Sequence, residues 1–261
     1  MAAWALIVHR VVLAVAAAFL ALGVAVAGTW ILAWYRDPRP FAAAPSAPTG
    51  LESVLVESPT TGRAPAVVVY VSGIGGWNIG DQEFTASLNR LGYPVVALDS
   101  FRYFARPRTP ASVSRDLEIV GERYRRLWNR PRIILAGYSF GAGAILEVAP
   151  VLSAPLRQRL RGVALIAPDR TGALRLRPYS FFDIVGPGGR RAVDQIRALR
   201  YIDVVCISGA ADPESACPDL RLTAREVRLQ TDHLFKGKGA EVATAIGGAG
   251  LRDASKPSLR P

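Results

Sequence analysis

The most constraining feature of the sequence is a serine between two glycines, at the junction of a predicted strand and a predicted helix. The apolar residues 132–136 predict a buried strand, Gly137-Tyr138-Ser139-Phe140-Gly141 follows directly, and small residues favour a helix from there on. A sharp turn at this junction would lift Ser139 above the edge of a sheet, and the glycines would prevent steric clashes. Ser139 is therefore a candidate nucleophile, and a serine that only shapes the turn is the alternative.

Apolar runs rich in β-branched residues recur along the chain, and helical periodicity separates them. Residues 110–128 predict a crossover helix, because apolar side chains recur there at spacings of four and three, with Thr109 as its cap. Alternation of strands and helices is typical of a mostly parallel sheet that helices cover on both faces. The runs predict strands at residues 66–71, 95–98, 132–136, 163–166 and 204–207.

A serine nucleophile needs a base to take its proton, and histidine is the usual one. The sequence contains two histidines, His9 and His233. His9 precedes a long apolar segment near the N-terminus, whereas His233 follows the predicted strands, where an α/β-hydrolase fold places its base. We therefore predict that His233 is the base, with a surface loop histidine as the alternative.

A carboxylate is needed to orient the histidine, and it normally follows the penultimate strand of such a fold. Asp212 lies at that point, after the apolar residues 204–207. Glu214, two residues later, and Asp169, after an earlier strand, are the competing candidates. An acid that only caps a turn is the remaining interpretation.

The two cysteines, Cys206 and Cys217, are close enough in sequence to form a local disulfide in an oxidising compartment. The alternative is a buried thiol in a strand at Cys206 and an unrelated thiol at Cys217. A disulfide would close the base of the loop that carries Asp212.

A glycine-rich loop, Ser72-Gly73-Ile74-Gly75-Gly76-Trp77, follows the first predicted strand. Its backbone amides could approach a tetrahedral intermediate, so we predict an oxyanion hole made by the amides of Ile74 and Phe140, with Gly75 as the next candidate. The loop lacks the lysine and the hydroxyl of a phosphate-binding loop. No cluster has metal-ligand spacing, so neither a metal nor another cofactor is expected.

The N-terminal segment is apolar over residues 11–35, without a charge, which is long enough to span a bilayer as a helix. A cleaved signal peptide is the alternative, because Ala25-Val26-Ala27 fits a cleavage site. Both interpretations predict export. We assign residues 1–37 to a membrane anchor, 38–50 to a proline-containing linker, 51–247 to the folded domain and 248–261 to a flexible tail.

The formal net charge is +11 at pH 7. No nucleic-acid-binding motif is visible, so nucleic acid is not an expected partner. A tethered basic domain would be attracted to anionic phospholipid headgroups, which makes a membrane surface the expected partner.

Four motifs carry a family resemblance that covers residues 67–246: the loop from Val71 to Trp77, the run Leu98-Asp99-Ser100-Phe101-Arg102-Tyr103-Phe104, the segment from Ala136 to Ala142, and Cys217-Pro218. The chain resembles the VirJ domain of the AcvB/VirJ bacterial virulence proteins, which are exported α/β hydrolases. AcvB-like members cleave lysyl-phosphatidylglycerol, so the resemblance implies an aminoacyl ester hydrolase at the outer face of the inner membrane.

The resemblance also implies substrate contacts. The expected contacts of the substrate are Gly75, Trp77 and Tyr138, and the expected acceptors of a lysyl ammonium group are Asp99, Asp81 and Glu83. For Asp99, which lies at a strand end, the alternative is a residue that only caps a turn. Two other functions stay open. One is a non-catalytic exported factor that binds secretion-system proteins, and the other is a periplasmic carboxylesterase of broad specificity.

Overall fold

The computed structural model describes residues 9–10, 12–25, 44–175 and 190–250. The chain divides into two units, residues 1–41 and 42–261. In the first unit the described residues are helical and exposed. Within the described ranges, no helix combines the length and the apolar character needed to cross a membrane. The predicted span over residues 11–35 lies partly outside the described residues, as do residues 38–43 of the predicted linker.

The second unit is built on a seven-stranded sheet of strand order β1-β3-β2-β4-β5-β6-β7. Only the β1–β3 pair in this sheet is antiparallel, and the other neighbouring strands pair in parallel. The strands are β1 (Leu55–Ser58), β2 (Ala66–Val71), β3 (Val95–Leu98), β4 (Arg132–Tyr138), β5 (Leu160–Ile166), β6 (Val204–Gly209) and β7 (Arg225–Leu229). The five predicted strands and the mostly parallel sheet are confirmed.

Helices cover both faces of this sheet. They are α1 (Ile79–Arg90), α2 (Ser100–Tyr103), α3 (Pro110–Leu127), α4 (Phe140–Val148), α5 (Ala154–Arg159), α6 (Ala192–Gln195), α7 (Cys217–Leu220) and α8 (Gly239–Gly247), with short 3-10 turns at Ala149–Val151 and Ile196–Leu199. Helices α1 and α8 pack against each other on one face, and α3, α4 and α6 pack on the other. The strands between these layers are buried on both faces, which explains their continuous apolar sequences.

The crossover helix α3 begins where the sequence predicts. The Thr109 hydroxyl accepts a hydrogen bond from the Ser112 amide, the Ser112 hydroxyl accepts one from the Thr109 amide, and Pro110 occupies the first helical position. The apolar side of the helix is buried, including Val113 and Tyr124. The helix therefore connects β3 to β4 across one face of the sheet.

The packed chain continues beyond α8, to Gly250. Ala249 is fully buried, the Arg161 guanidinium donates to its carbonyl over 3.2 Å, and the Gly250 amide donates to the Asp203 carboxylate over 2.7 Å. The first residues of the predicted tail are therefore part of the folded domain. Residues 251–261 lie outside the described residues.

Candidate active site

Ser139 occupies a strained turn between β4 and α4. Its backbone has φ 50° and ψ −116°, in a region that residues other than glycine rarely adopt. A side chain at Gly141 would overlap the carbonyl oxygen of Val71, and one at Gly137 would lie 2.6 Å from the Gly141 carbonyl. The turn therefore requires both glycines, and it presents Ser139 at the carboxyl edge of the sheet.

Three side chains from separate loops form a continuous chain of hydrogen bonds at this edge. The Oγ atom of Ser139 lies 3.0 Å from Nε2 of His233, and Nδ1 of His233 lies 2.9 Å from Oδ2 of Asp212. A carboxylate accepts hydrogen bonds, so the Nδ1 atom carries the proton and Nε2 is free to accept one from Ser139. The arrangement has the geometry of a nucleophile, a base and an orienting acid.

The acid that is hydrogen-bonded to His233 is Asp212, in the loop after β6. Its side chain is 1% exposed, whereas that of His233 is 34% exposed. Glu214 is exposed, and its backbone amide donates to Oδ1 of Asp212 over 3.2 Å. Asp169 lies close enough to Tyr138 to contribute to raising the pKa of that phenol, for which burial is the main cause. Of the three candidate acids, the structure brings Asp212 to the histidine.

Cys206 and Cys217 form a disulfide with a Cα–Cα distance of 5.5 Å. The bond joins β6 to the start of α7 and closes the loop that contains Asp212. Both cysteines are fully buried. The buried carboxylate thus lies in a covalently closed loop, which restricts the movement of its backbone.

Tyr138 contacts the loop that carries His233. Its hydroxyl donates to the carbonyl of His233 over 3.0 Å, and the centroids of the two rings are 5.5 Å apart. The ring of Phe84 and that of Phe235 contact Tyr138 edge-on. The sequence suggests Tyr138 only as a substrate contact, and the structure adds that its hydroxyl holds the backbone of the base.

The glycine-rich loop after β2 lies beside this turn. Gly73 packs against Tyr138, since an added side chain at Gly73 would lie 2.9 Å from the tyrosine ring. The Gly76 amide donates to the Gly73 carbonyl over 3.0 Å and closes a tight turn. The half-buried Ile74 and Gly75 lie at the tip of this turn, which is where the sequence places an oxyanion donor. Phe140, the other predicted donor, opens α4.

The predicted ammonium acceptors have structural partners. Asp99 is 5% exposed and caps α2 by accepting a hydrogen bond from the Arg102 amide. The Asp81 carboxylate accepts hydrogen bonds from the Tyr70 hydroxyl and the Asn78 amide, and the Glu83 carboxylate accepts one from the Gly239 amide. Trp77, a predicted substrate contact, is buried as well, at 8% exposure. These contacts favour structural roles for the three acids, and the role of Asp99 is to cap a helix at the end of β3.

Burial of Asp81 predicts a pH-dependent stability. Loss of solvation raises the pKa of Asp81 from 3.8 to about 7, although the hydrogen bonds from Tyr70 and Asn78 act in the opposite direction. Between these two values the folded protein keeps a proton that the unfolded chain has lost, so the free energy of unfolding falls as the pH rises. Well above pH 7, Asp81 is ionised in both the folded and the unfolded protein, so it no longer makes the free energy of unfolding depend on pH.

We expect urea unfolding to show that the wild type loses stability relative to Asp81→Asn between pH 5 and pH 8. A replacement of the exposed Glu52, Glu52→Gln, is the control, and its difference from the wild type should change little over this range. Parallel stability curves for the wild type and Asp81→Asn would contradict the raised pKa.

Metal ligands do not come together in the parts of the chain that the structure describes. No group of three or more His, Cys, Asp or Glu side chains in those ranges could hold a metal ion.

Solved structures with a similar fold include three bacterial proteins. Est1E from Butyrivibrio proteoclasticus has a TM-score of 0.52 and 15% identity, over 74% of this chain and 90% of that one. The esterase domain of a Rhodothermus marinus protein has a TM-score of 0.49 and 20% identity, over 74% and 87%. XC6422 from Xanthomonas campestris, an α/β serine hydrolase without a lid, has a TM-score of 0.47 and 19% identity, over 78% and 90%. The likeness to Est1E confirms the predicted α/β-hydrolase fold.

At the level of sequence, no curated protein matches the chain significantly. A family does match: the bacterial virulence protein (VirJ) family, over residues 65–251, which includes the strained serine turn, the Asp212 loop and His233. That match covers most of the 261 residues. The chain therefore belongs to the VirJ family.

Proposed function

We propose that this protein is a serine hydrolase of carboxylic esters, with Ser139 as nucleophile, His233 as base and Asp212 as orienting acid. The observation that carries the proposal is the hydrogen-bonded chain of these three side chains at the strained turn. A serine that only shaped a turn would have no need of a histidine at 3.0 Å and a buried carboxylate behind it. The arrangement supports acyl transfer.

The proposed reaction has two steps. In the first, the Ser139 oxygen bonds to the ester carbonyl carbon while its proton moves to Nε2 of His233, and the negative oxygen faces the amides of Ile74 and Phe140. Collapse of this intermediate breaks the bond to the alcohol, which leaves with the proton from His233. In the second step, water gives a proton to His233 and attacks the acyl-enzyme; His233 then returns the proton to the Ser139 oxygen as the bond to the acyl group breaks, which releases the acid and restores both residues.

For the substrate we propose the aminoacyl ester of a membrane phospholipid, with lysyl-phosphatidylglycerol as the leading candidate. Membership in the VirJ family supports this choice. The net charge of +11 also favours approach to an anionic lipid surface. In this reaction the lysyl group is transferred to Ser139, phosphatidylglycerol leaves as the alcohol, and water releases lysine.

Charge near the candidate nucleophile also favours a cationic acyl group. Burial is the main cause that raises the pKa of the Tyr138 phenol, and the negative charges of Asp81, Asp212, Asp232 and Asp169 raise it further. Asp232 is exposed and directly precedes His233. Asp232 is better situated than Asp81 to meet an ammonium group that arrives from solvent, because Asp232 is exposed whereas Asp81 is buried.

The proposed location is the periplasmic side of the inner membrane, with residues 1–37 as an uncleaved anchor. The uncharged residues 11–35 support an anchor. The disulfide between Cys206 and Cys217 supports an oxidising compartment, because such bonds persist mainly in exported proteins. A basic domain held near the bilayer would then meet its lipid substrate without diffusing through solution.

The experiment is an assay of amino-acid release from lysyl-phosphatidylglycerol and alanyl-phosphatidylglycerol in mixed micelles, with a p-nitrophenyl ester as a neutral soluble substrate. We expect release from both lipids, faster from the lysyl lipid. Cleavage of the soluble ester alone would replace the lipid substrate by a broader carboxylesterase function. No cleavage of any of the three would favour the non-catalytic exported factor that binds secretion-system proteins.

A further inference from the structure

The segment from Asp99 to Phe104 belongs to one of the four motifs that carry the family resemblance, and none of its side chains takes part in the hydrogen bonds that join Ser139, His233 and Asp212. It follows β3 directly, and β3 pairs in parallel with β2, with Val71 opposite Leu98. The loop 72–77 follows β2 at the same edge of the sheet. The paired strand ends therefore bring the segment 99–104 against the loop that carries the predicted oxyanion donor Ile74.

Two buried serines connect the segment to this loop. The Ser100 amide donates to the hydroxyl of Ser72 over 3.0 Å, and the two hydroxyls are 3.2 Å apart. The Ser100 hydroxyl in turn donates a hydrogen bond to the carbonyl of Gly73. The same carbonyl accepts the Gly76 amide that closes the turn. Both serines are fully buried, so water cannot replace these bonds.

Asp99 holds the other end of the same loop. Its carboxylate accepts hydrogen bonds from the amides of Trp77, Phe101 and Arg102. A side chain at Gly76 would lie 2.5 Å from the carboxylate, so the loop passes directly over Asp99. The tip of the loop is therefore fixed on both sides, by Ser100 at Gly73 and by Asp99 at Gly76 and Trp77.

The end of the segment contacts the second predicted donor. The Phe104 ring is fully buried and packs edge-on against the ring of Phe140, with 5.2 Å between their centroids. Phe140 opens α4 directly after Ser139. One short segment thus contacts both sides of the predicted oxyanion hole.

We propose that residues 99–104 set the geometry of the oxyanion hole, and that Ser100 is the positioning residue for the amide of Ile74. This inference rests on the proposed ester hydrolysis. Backbone donors stabilise the transition state only if they are aimed at the oxygen as its charge develops, and misplacement by about 1 Å can slow catalysis roughly a hundredfold. Without the Ser100 hydroxyl, the carbonyl of Gly73 loses one of its two donors and the turn is free to shift.

The test compares Ser100→Ala with Ser114→Ala. Ser114 is a matched control, because it is also buried, its hydroxyl donates to the carbonyl of Val151 over 3.0 Å, and it accepts the amide of Ser153. It lies on α3, away from the loop. Both variants remove one buried hydroxyl-to-carbonyl hydrogen bond, so we expect similar decreases in melting temperature.

Activity should separate the two variants. For hydrolysis of a p-nitrophenyl ester we expect Ser100→Ala to lower kcat by about 10- to 100-fold with KM changed less than about twofold, and Ser114→Ala to change neither by more than about twofold. A trifluoromethyl ketone inhibitor, whose adduct with serine carries an oxyanion, should bind Ser100→Ala more weakly by a similar factor. Equal kcat values for the two variants would overturn the proposal.

Hydrogen exchange provides a readout that does not depend on turnover. Amides of residues 74–77 should exchange faster in Ser100→Ala than in the wild type and in Ser114→Ala, and unchanged exchange would overturn the positioning role. A wild type that cleaves no ester would refute the proposed function, and the catalytic part of this inference with it. An active wild type with equal variants would refute the inference alone.

Discussion

Replacement of Ser139 by alanine is expected to abolish ester hydrolysis, with kcat/KM lower by at least about a thousandfold. The Ser139 oxygen is the nucleophilic atom that lies 3.0 Å from Nε2 of His233. Alanine keeps the Cβ atom and adopts the strained backbone as readily as serine does, so the fold should persist. An assay of ester hydrolysis measures the loss of activity, and the melting temperature shows whether the fold persists.

Covalent labelling provides the control for this variant. A fluorophosphonate probe should phosphonylate the wild type on the peptide that contains Ser139 and leave the folded Ser139→Ala variant unmodified. Normal turnover by Ser139→Ala would remove the proposed nucleophile. A modified serine elsewhere in the wild type would identify a different one.

The interior of the sheet was predictable because its strands are buried on both faces. A strand such as β2, with the sequence Ala-Val-Val-Val-Tyr-Val, has an apolar side chain at nearly every position and is recognised from composition alone. The edge strands carry no such signal. β7 contains Arg225, Glu226 and Arg228 and is half-buried, and β1 is short and antiparallel. The pairing of an edge strand depends on its neighbour, which the local sequence does not encode.

The same distinction applies to the site. The positions of Ser139 and His233 follow from local patterns and chain order, which are properties of the sequence. Asp212 and Glu214 are two residues apart in one loop, and the backbone path that aims one carboxylate at the histidine depends on the fold. The hydrogen bond that joins Asp81 to Tyr70 has no sequence signal, because it depends on how α1 packs on β2.

The second large effect is expected for Asp212→Asn, which should lower kcat by about 10²- to 10⁴-fold. The Asp212 side chain is 1% exposed, so the new amide cannot turn towards water. An amide nitrogen facing Nδ1 favours the tautomer in which Nε2 carries the proton, and that Nε2 cannot accept a proton from Ser139. Loss of the negative charge also removes stabilisation of the protonated histidine in the transition state.

Glu214→Gln is the matched control, because it makes the same chemical change two residues away. Glu214 is exposed and contributes only its backbone amide to Asp212, which the replacement retains. We expect kcat within about twofold of the wild type, as for other exposed substitutions. A large loss in Glu214→Gln with normal turnover in Asp212→Asn would show that Glu214 is the orienting acid. That result would require the loop between Cys206 and Cys217 to rearrange when substrate binds, since the resting geometry directs Asp212 to the histidine.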